Sequence, residues 1–275
     1  MPELPEVETI VNGLKRKLIG QQISQIQLFE PRIIKSQVNN FLDSLPGCIV
    51  ENIHRRGKMI LVSLSKNLQL LIHLKMTGQL LLTYQPLPLK KHTHLILELL
   101  PSGNFLVYVD IRRFGFFILG SDEEINTLPM IKNLGPDTLT LKWANFLEII
   151  SLYRGKIKNL LLNQNLLSGI GNIYADEILF NAKIHPEVRA EKLDSNQKKV
   201  LYESIQVILR KAIEKGGSSI RDYLDSTGQP GSFQVLHKVY GRLASPCNLC
   251  GNTIQRVKVS SRSSYFCPNC QQFCP

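Results

Sequence analysis

The chain reads as an α+β multidomain protein, and three observations in the sequence predict it. Short apolar and β-branched runs, broken by turn residues, fill the stretch from about residue 21 to 120. Longer helix-like segments take over after Gly135-Pro136-Asp137, and two Cys-x2-Cys pairs lie near the C-terminus. The expected architecture is an N-terminal β-sandwich preceded by a helix, then a helical domain, then a metal-held ribbon. The predicted boundaries are 1–134, 135–235 and 236–275, and a barrel is the other closure that the β pattern allows.

Residues 5 to 19 have the features of an amphipathic helix. Pro5 sits at a tolerated first-turn position, Glu6 and Glu8 come early, and Lys15, Arg16 and Lys17 come late. Val7, Ile10, Val11, Leu14 and Leu18 share one face, and Gly20 ends the helix. Strands are predicted at 49–53, 59–64, 68–74, 79–84, 95–100, 105–109 and 114–119. Helices are predicted at 142–152, 157–165, 172–182 and 195–215, the last stopped by Gly216-Gly217. Between two of these helices, Leu167-Ser168-Gly169-Ile170-Gly171-Asn172 forms a turn. Asn172 is expected to cap the following helix, and the glycines would let a phosphate approach exposed backbone N–H groups.

Cys247-x2-Cys250 and Cys267-x2-Cys270 are separated by sixteen residues, a spacing that suits a four-thiolate zinc ribbon with one structural Zn2+. Disulfide pairing is the alternative, and Cys274 is a possible competitor for the metal position of Cys270, although the paired spacing favours Cys270. Cys48 has no evident partner. Alternation in Ile254–Val259, a Ser-rich turn and Tyr265-Phe266 predict a hairpin with Arg262 at its tip. A segment of about forty residues has too little core to fold without the metal.

Thirty-three Lys and Arg against twenty-two Asp and Glu give a net charge of +11 over 275 residues, a balance that suits a polyanionic partner. No apolar run is long enough to span a membrane, so a soluble, cytoplasmic protein is expected.

The N-terminus carries the candidate chemistry. If Met1 is removed, Pro2 presents a secondary amine with Glu3 beside it. An α-amino group titrates near 7.7 to 8, so a useful fraction is neutral at pH 7, about a tenth or more. Such an amine attacking a sugar C1′ gives an iminium, from which strand cleavage by elimination can follow.

The run Met1-Pro2-Glu3-Leu4-Pro5-Glu6-Val7-Glu8-Thr9 resembles the start of the bacterial formamidopyrimidine-DNA glycosylases. Further similar motifs follow in family order: Arg55-Arg56-Gly57-Lys58, His73-Leu74-Lys75-Met76-Thr77-Gly78, Lys91-His92-Thr93-His94, Asp110-Ile111-Arg112-Arg113-Phe114-Gly115, Gly169 through Glu177, and Gly217-Ser218-Ser219-Ile220-Arg221. The resemblance covers essentially the whole chain. It implies a helix-two-turn-helix element in the central domain and a base excision repair enzyme, located with the bacterial nucleoid, that acts as a monomer on damaged double-stranded DNA. That enzyme would remove oxidised purines (8-oxoguanine and formamidopyrimidines), then cut the strand by β,δ-elimination.

By the same resemblance Pro2 is the Schiff-base nucleophile, Glu3 the general acid/base, Lys58 the proton donor in β-elimination and Arg262 the donor in δ-elimination, with Glu6 positioning the sugar or base. Met76, Arg112 and Phe114 match residues that fill the void left by an extruded nucleotide, a role suited to apolar wedges and an arginine. His92, Arg112, Arg154, Lys156, Lys158 and Asn172 are expected to contact DNA, together with Lys58 and Arg262. The loop 216–234 would close over the extruded base, with Ser219, Ile220, Arg221, Asp222 and Tyr223 placed to read it. Lys75, Ile111 and Asn159 depart from the family pattern, standing where glycine, proline and proline are common. Two other readings remain open: an endonuclease VIII type enzyme for oxidised pyrimidines, against which Leu4 and the intact 216–234 loop weigh, and a non-catalytic zinc-ribbon nucleic-acid-binding protein.

Overall fold

The computed structural model describes residues 1–84 and 91–273 and is built of two compact units. The first comprises Met1–Asn133 with Lys215–Ser232, and the second Leu134–Glu214 with Phe233–Pro275.

The first unit begins with α1, Leu4–Leu18, one residue earlier at each end than the sequence pattern indicates. Its apolar face is buried as expected, with Val7, Ile10 and Leu14 fully enclosed, and it packs on β2 and β3. The strands are β1 Gln22–Leu28, β2 Val50–Arg56, β3 Met59–Leu64, β4 Leu68–His73, β5 Gly78–Thr83, β6 Thr93–Leu100, β7 Asn104–Asp110 and β8 Phe116–Ser121. Helix α2, Val38–Ser44, lies between β1 and β2 in the chain, while α3, Asp122–Thr127, and α4, Pro129–Lys132, follow β8. They make two four-stranded antiparallel sheets, ordered β1-β6-β7-β5 and β2-β3-β4-β8. The expected sandwich is therefore present.

Strand alternation explains the core. Leu95, Leu97 and Leu99 of β6 point into the main core with α1 and the second sheet, whereas Ile96 points the other way. On that outer face Ile96 joins Leu81, Val107 and Val109 in a second apolar cluster, covered by Leu224 from the returning segment. The returning segment is thus packed against the β-sheet rather than left as a free loop, and Leu82 N–H donates to Ser226 O at 2.8 Å. Cys48 is a core residue whose thiol donates to Ser44 O at 3.1 Å.

The second unit contains α5 Trp143–Leu152, α6 Ile157–Leu162, α7 Asn172–Asn181, α8 Ser195–Glu214, and the hairpin β9 Gln255–Val259 with β10 Arg262–Phe266. Nearly every residue of α7 from Tyr174 to Phe180 is buried, because α6, α8 and β10 pack around it. Such a position forces its two acids to find internal partners, since an unpaired buried charge is costly. Asp176 accepts from Lys158 and from the Tyr265 N–H, and Glu177 accepts from the backbone N–H groups of Lys238, Val239 and Tyr240.

Leu14 tests the sandwich core, being fully buried in α1 within the main apolar cluster. Leu14→Ala should lower the stability of the first unit by about 2–5 kcal/mol. Urea unfolding followed on that unit checks it, and a loss under about 0.5 kcal/mol, the range for uninvolved surface positions, would contradict the packing.

Candidate functional site

In the first unit the N-terminal residues and the segment after α8 meet through one carboxylate. Glu6, in the first turn of α1, accepts from the Glu3 N–H at 2.7 Å through Oε2 and from the Ser218 N–H at 2.8 Å through Oε1. Gly217 makes this possible: it has φ +80, and a Cβ there would lie 2.6 Å from Glu6 Oε1. Tyr223 reinforces the junction by donating from its hydroxyl to Glu6 O at 3.3 Å, and it is buried in the main core. Pro2, Glu3, Glu6 and Lys58 are all buried. Burial lowers the pKa of the Met1 amine, the carboxylates of Glu3 and Glu6 pull it back up, and Lys58 and Arg221 reinforce the lowering. Four expected site residues therefore act electrostatically on the terminal amine.

The expected lesion loop has a defined internal structure. Ser219 Oγ donates to Tyr223 O at 2.7 Å and accepts from the Gly231 N–H at 2.9 Å, while Gln79 Nε2 donates to Asp222 O at 2.5 Å. Arg221 pairs with Asp222 at 2.7 Å, and Ile220 and Arg221 are exposed. Tyr223 faces inward, so Ile220 and Arg221 are the exposed side chains among the five expected reading residues.

The three expected void-filling residues sit on two turns. Met76 lies between β4 and β5, and Arg112 and Phe114 lie between β7 and β8. Phe114 precedes the strand to which the sequence pattern assigned it, since β8 starts at Phe116. Met76 is 39% and Phe114 52% exposed, values that rule out core roles, and the Arg112 guanidinium stacks 4.6 Å from the Phe114 ring centre. Lys75 has φ +50, a left-handed backbone that favours glycine, which gives a physical reason for the glycine that the resemblance leads one to expect here.

Sequence reasoning missed the group that holds both turns. Asp110, fully buried at the end of β7, accepts from the Thr77 hydroxyl, from the Arg112 N–H at 3.1 Å, from the Gly115 N–H at 2.8 Å and from the Tyr108 hydroxyl at 3.0 Å. His92, half-buried, accepts the Asp110 N–H on its backbone oxygen at 3.0 Å. His73, at the end of β4, was also missed. Its Nδ1 accepts the Lys75 N–H at 3.0 Å, which requires a neutral ring, and burial together with Lys75 and Lys58 pushes its pKa down to about 3.

The second unit holds the remaining candidates. Arg262 is exposed and paired across the hairpin with Val259, directly after the Ser260-Ser261 turn. Arg154 is exposed and donates to Ser151 O at 2.7 Å, and Lys156 forms a partly exposed pair with Glu187 at 2.6 Å. Lys158 does not fit the expected phosphate contact. Its side chain is 0% exposed, and Nζ donates to Asp176 at 2.6 Å, Ser263 O at 2.9 Å and Ser264 Oγ at 2.7 Å, so it fastens α6 to α7 and the hairpin.

Asn172 is not a helix cap either. The N-cap is Gly171, and Asn172 Nδ2 donates to Ser263 O at 3.0 Å, which ties the start of α7 to the same hairpin. Gln164, unremarked in the sequence, staples the preceding turn by accepting from the Gly169 N–H at 2.9 Å and donating to Ile170 O at 2.8 Å. The Gly169 N–H is consequently occupied and does not point outward as a phosphate donor.

Cys247, Cys250, Cys267 and Cys270 bring their sulfurs within 4.8 Å of one another. The Cys247–Cys270 and Cys250–Cys267 separations are 3.9 and 3.5 Å, far too long for disulfides. A tetrahedral Zn2+ cage with bonds of about 2.3 Å spaces its sulfurs by about 3.8 Å, so the four thiolates fit one structural zinc. Ile254, Val239 and Phe180 supply only a small apolar cluster beside it. Cys274, the other candidate ligand, lies outside the described residues.

Two outcomes follow from these sites. The protein should contain zinc by metal analysis, and Cys250→Ser should remove it and weaken DNA binding while the circular dichroism of the β-sandwich persists. Unchanged binding in a zinc-free protein would contradict the metal-held ribbon. For His73 the folded pKa lies below the unfolded value near 6.5, so the unfolded chain takes up the proton first. Its share of stability is present above about pH 6.5 and is lost as pH falls toward 3, at up to about 1.4 kcal/mol per pH unit. His73→Asn retains an acceptor for Lys75 and should flatten the acid decline measured for the first unit; an unaltered slope would contradict the neutral-ring assignment.

Comparison with known proteins agrees with this architecture. The family model for the formamidopyrimidine-DNA glycosylase N-terminal domain matches residues 1–117, that for the formamidopyrimidine-DNA glycosylase H2TH domain matches 134–223, and that for the zinc finger found in FPG and IleRS matches 244–272. The formamidopyrimidine-DNA glycosylase of Desulforamulus reducens is 44% identical over 99% of both chains, and that of Streptococcus pyogenes serotype M6 is 40% identical over 99% of both. Among solved structures, a mutant of the Lactococcus lactis enzyme in complex with Fapy-dG-containing DNA has a TM-score of 0.91 at 37% identity, covering 99% of this chain and 100% of that one. A complex of the Lactococcus lactis protein with DNA containing an abasic site has a TM-score of 0.90 at 37% identity, covering 98% and 100%. With its sandwich, helical domain and four-cysteine ribbon matched along the full chain, this protein belongs to the formamidopyrimidine-DNA glycosylase family.

Proposed function

We propose that the protein is a base excision repair DNA glycosylase with AP lyase activity, removing oxidised purines from double-stranded DNA and then cleaving the strand. The observation that carries the reading is the terminal amine set among the buried Glu3, Glu6 and Lys58, with the exposed Arg221 also acting on it. After removal of Met1, the Pro2 nitrogen attacks C1′ of the damaged nucleotide, the glycosidic bond breaks and the base departs with a proton. The sugar ring opens to an iminium between Pro2 and C1′. Loss of a C2′ proton then expels the 3′ phosphate, and a second elimination expels the 5′ phosphate. In this scheme Glu3 handles the proton of the first step, Lys58 that of β-elimination and Arg262 that of δ-elimination. Desolvation at this site favours the neutral, nucleophilic amine, the direction found for Met1.

Met76, Arg112 and Phe114 take the space vacated by the extruded nucleotide, and Arg112 has the donors to bond the orphaned base. Ile220 and Arg221 face the extruded purine. His92, Arg154, Lys156 and Arg262 are the phosphate-facing set, and the net charge of +11 supports a duplex as partner. The protein acts as a monomer in the cytoplasm at the nucleoid. No helix among the described residues is long and apolar enough to cross a membrane.

The test is borohydride trapping on an 8-oxoguanine:cytosine duplex. Wild-type protein should give a covalent adduct, whereas Pro2→Gly or protein retaining Met1 should lose trapping by on the order of 10³-fold. Full trapping with Met1 still attached would overturn the assignment of Pro2.

A further inference from the structure

We propose that Asp110 is a positioning residue that couples the two turns carrying Met76 and Arg112-Phe114, so that they insert into DNA as one unit. This rests on the reading that those three residues fill the void.

Each turn has a strained backbone of its own. Met76 follows Lys75 in a left-handed backbone, and Arg113, between the other two residues, has φ +56. Neither turn belongs to a strand and the side chains at their tips are exposed; the Lys75 N–H bond to His73 Nδ1 and the Arg113–Glu30 pair hold each turn separately and do not join the two. Residues forced against unstacking bases need a rigid support from behind.

Asp110 supplies it from beneath both turns. Oδ1 accepts from the Thr77 hydroxyl, one residue after Met76, and from the Arg112 N–H at 3.1 Å; Oδ2 accepts from the Gly115 N–H at 2.8 Å, one residue after Phe114. Thr77 Oγ1 also accepts from the Arg112 N–H at 3.1 Å, which joins the turns directly. The carboxylate itself is fixed: the Tyr108 hydroxyl donates to Oδ2, the Asp110 N–H donates to His92 O, and His94 Nε2 bonds Asp110 O at 2.7 Å. Gly78 pairs with Asp110 across β5 and β7, and at Gly115 a Cβ would lie 1.8 Å from the Tyr108 hydroxyl, so both turns must return to the sheet through glycine at this point.

Burial pushes the Asp110 carboxyl up, but the bonds from Thr77, Gly115, Tyr108 and Arg112 outweigh it and hold the pKa below its ordinary value. The group is ionised at working pH, with its acceptors filled by donors from the two turns. Asparagine cannot replace it. Whichever way an amide is oriented, its NH2 faces the backbone N–H of either Arg112 or Gly115, a donor against a donor.

The experiment compares Asp110→Asn, Thr77→Val, Tyr108→Phe and Phe114→Ala on duplex DNA with a fluorescent base-stacking reporter beside 8-oxoguanine, alongside excision and cleavage of a ready-made abasic site. Asp110→Asn should lose the unstacking signal and about tenfold or more in excision, while cleavage of the abasic site stays within about twofold. Thr77→Val, which cuts only the link to the Met76 turn, should show a smaller loss of the same kind. Tyr108→Phe leaves both turns bonded and should behave as wild type. If Phe114→Ala keeps the signal, the void-filling reading itself fails. If Phe114→Ala loses it and Asp110→Asn keeps it, the coupling role fails while the void-filling reading stands. Should Asp110→Asn not fold, Thr77→Val decides, and a wild-type signal from it overturns the proposal. Equal losses on both substrates would make Asp110 a general structural residue and would overturn it as well.

Discussion

The first unit depends on a carboxylate that binds two backbone N–H groups 215 residues apart in the chain, Glu6 between Glu3 and Ser218. An ionised acceptor held by backbone donors in a buried place is among the stronger polar contacts a protein can make. It fixes the first turn of α1, and with it Pro2 and Glu3, against a segment that returns after the entire helical domain has been traced. The rest of that segment follows from this anchor: Gly217 admits the carboxylate, Tyr223 enters the core, and Leu224 closes the outer face of the sheet.

The same device recurs at three other buried acids. Asp110 beneath the Met76 and Arg112–Phe114 turns, and Asp176 and Glu177 within α7, are buried acids whose oxygens are met by backbone or hydroxyl donors and, at Asp176, by Lys158. Each spans elements that the sheet and helix hydrogen bonds do not join. Breaking such a contact leaves an uncompensated buried group, so single substitutions there cost more than the surface pairs at Lys156 or Arg221.

Much of the fold was legible because it depends on local periodicity. The apolar face of α1, the run Met59–Leu64 and the paired cysteines each declare themselves within a few residues. Strand β1 was not singled out, since it is an edge strand with only Ile23 buried among exposed polar neighbours. Phe114 was assigned to a strand by its apolar character, although the bond from Gly115 to Asp110 delays β8 until Phe116. Lys158 and Asn172 read as DNA contacts in the sequence for a related reason, whereas Lys158 is enclosed and Asn172 donates inward to Ser263 O. Their partners at Ser263 and Ser264 lie about ninety to a hundred residues away, and no local pattern distinguishes a buried lysine's ammonium from a solvated one. The resemblance points to segments, while the contacts decide which of their side chains face outward.

Glu6 makes the N-terminus and the 217–223 segment one structural piece. Residue-resolved amide hydrogen exchange on the full chain tests it most directly. In the wild-type protein the Ser218 and Glu3 amides should exchange as slowly as amides of β3, and Glu6→Ala should release both to loop-like rates while β3 stays protected. A Ser218 amide that already exchanges at an unprotected rate in the wild type would rule out the Glu6 link.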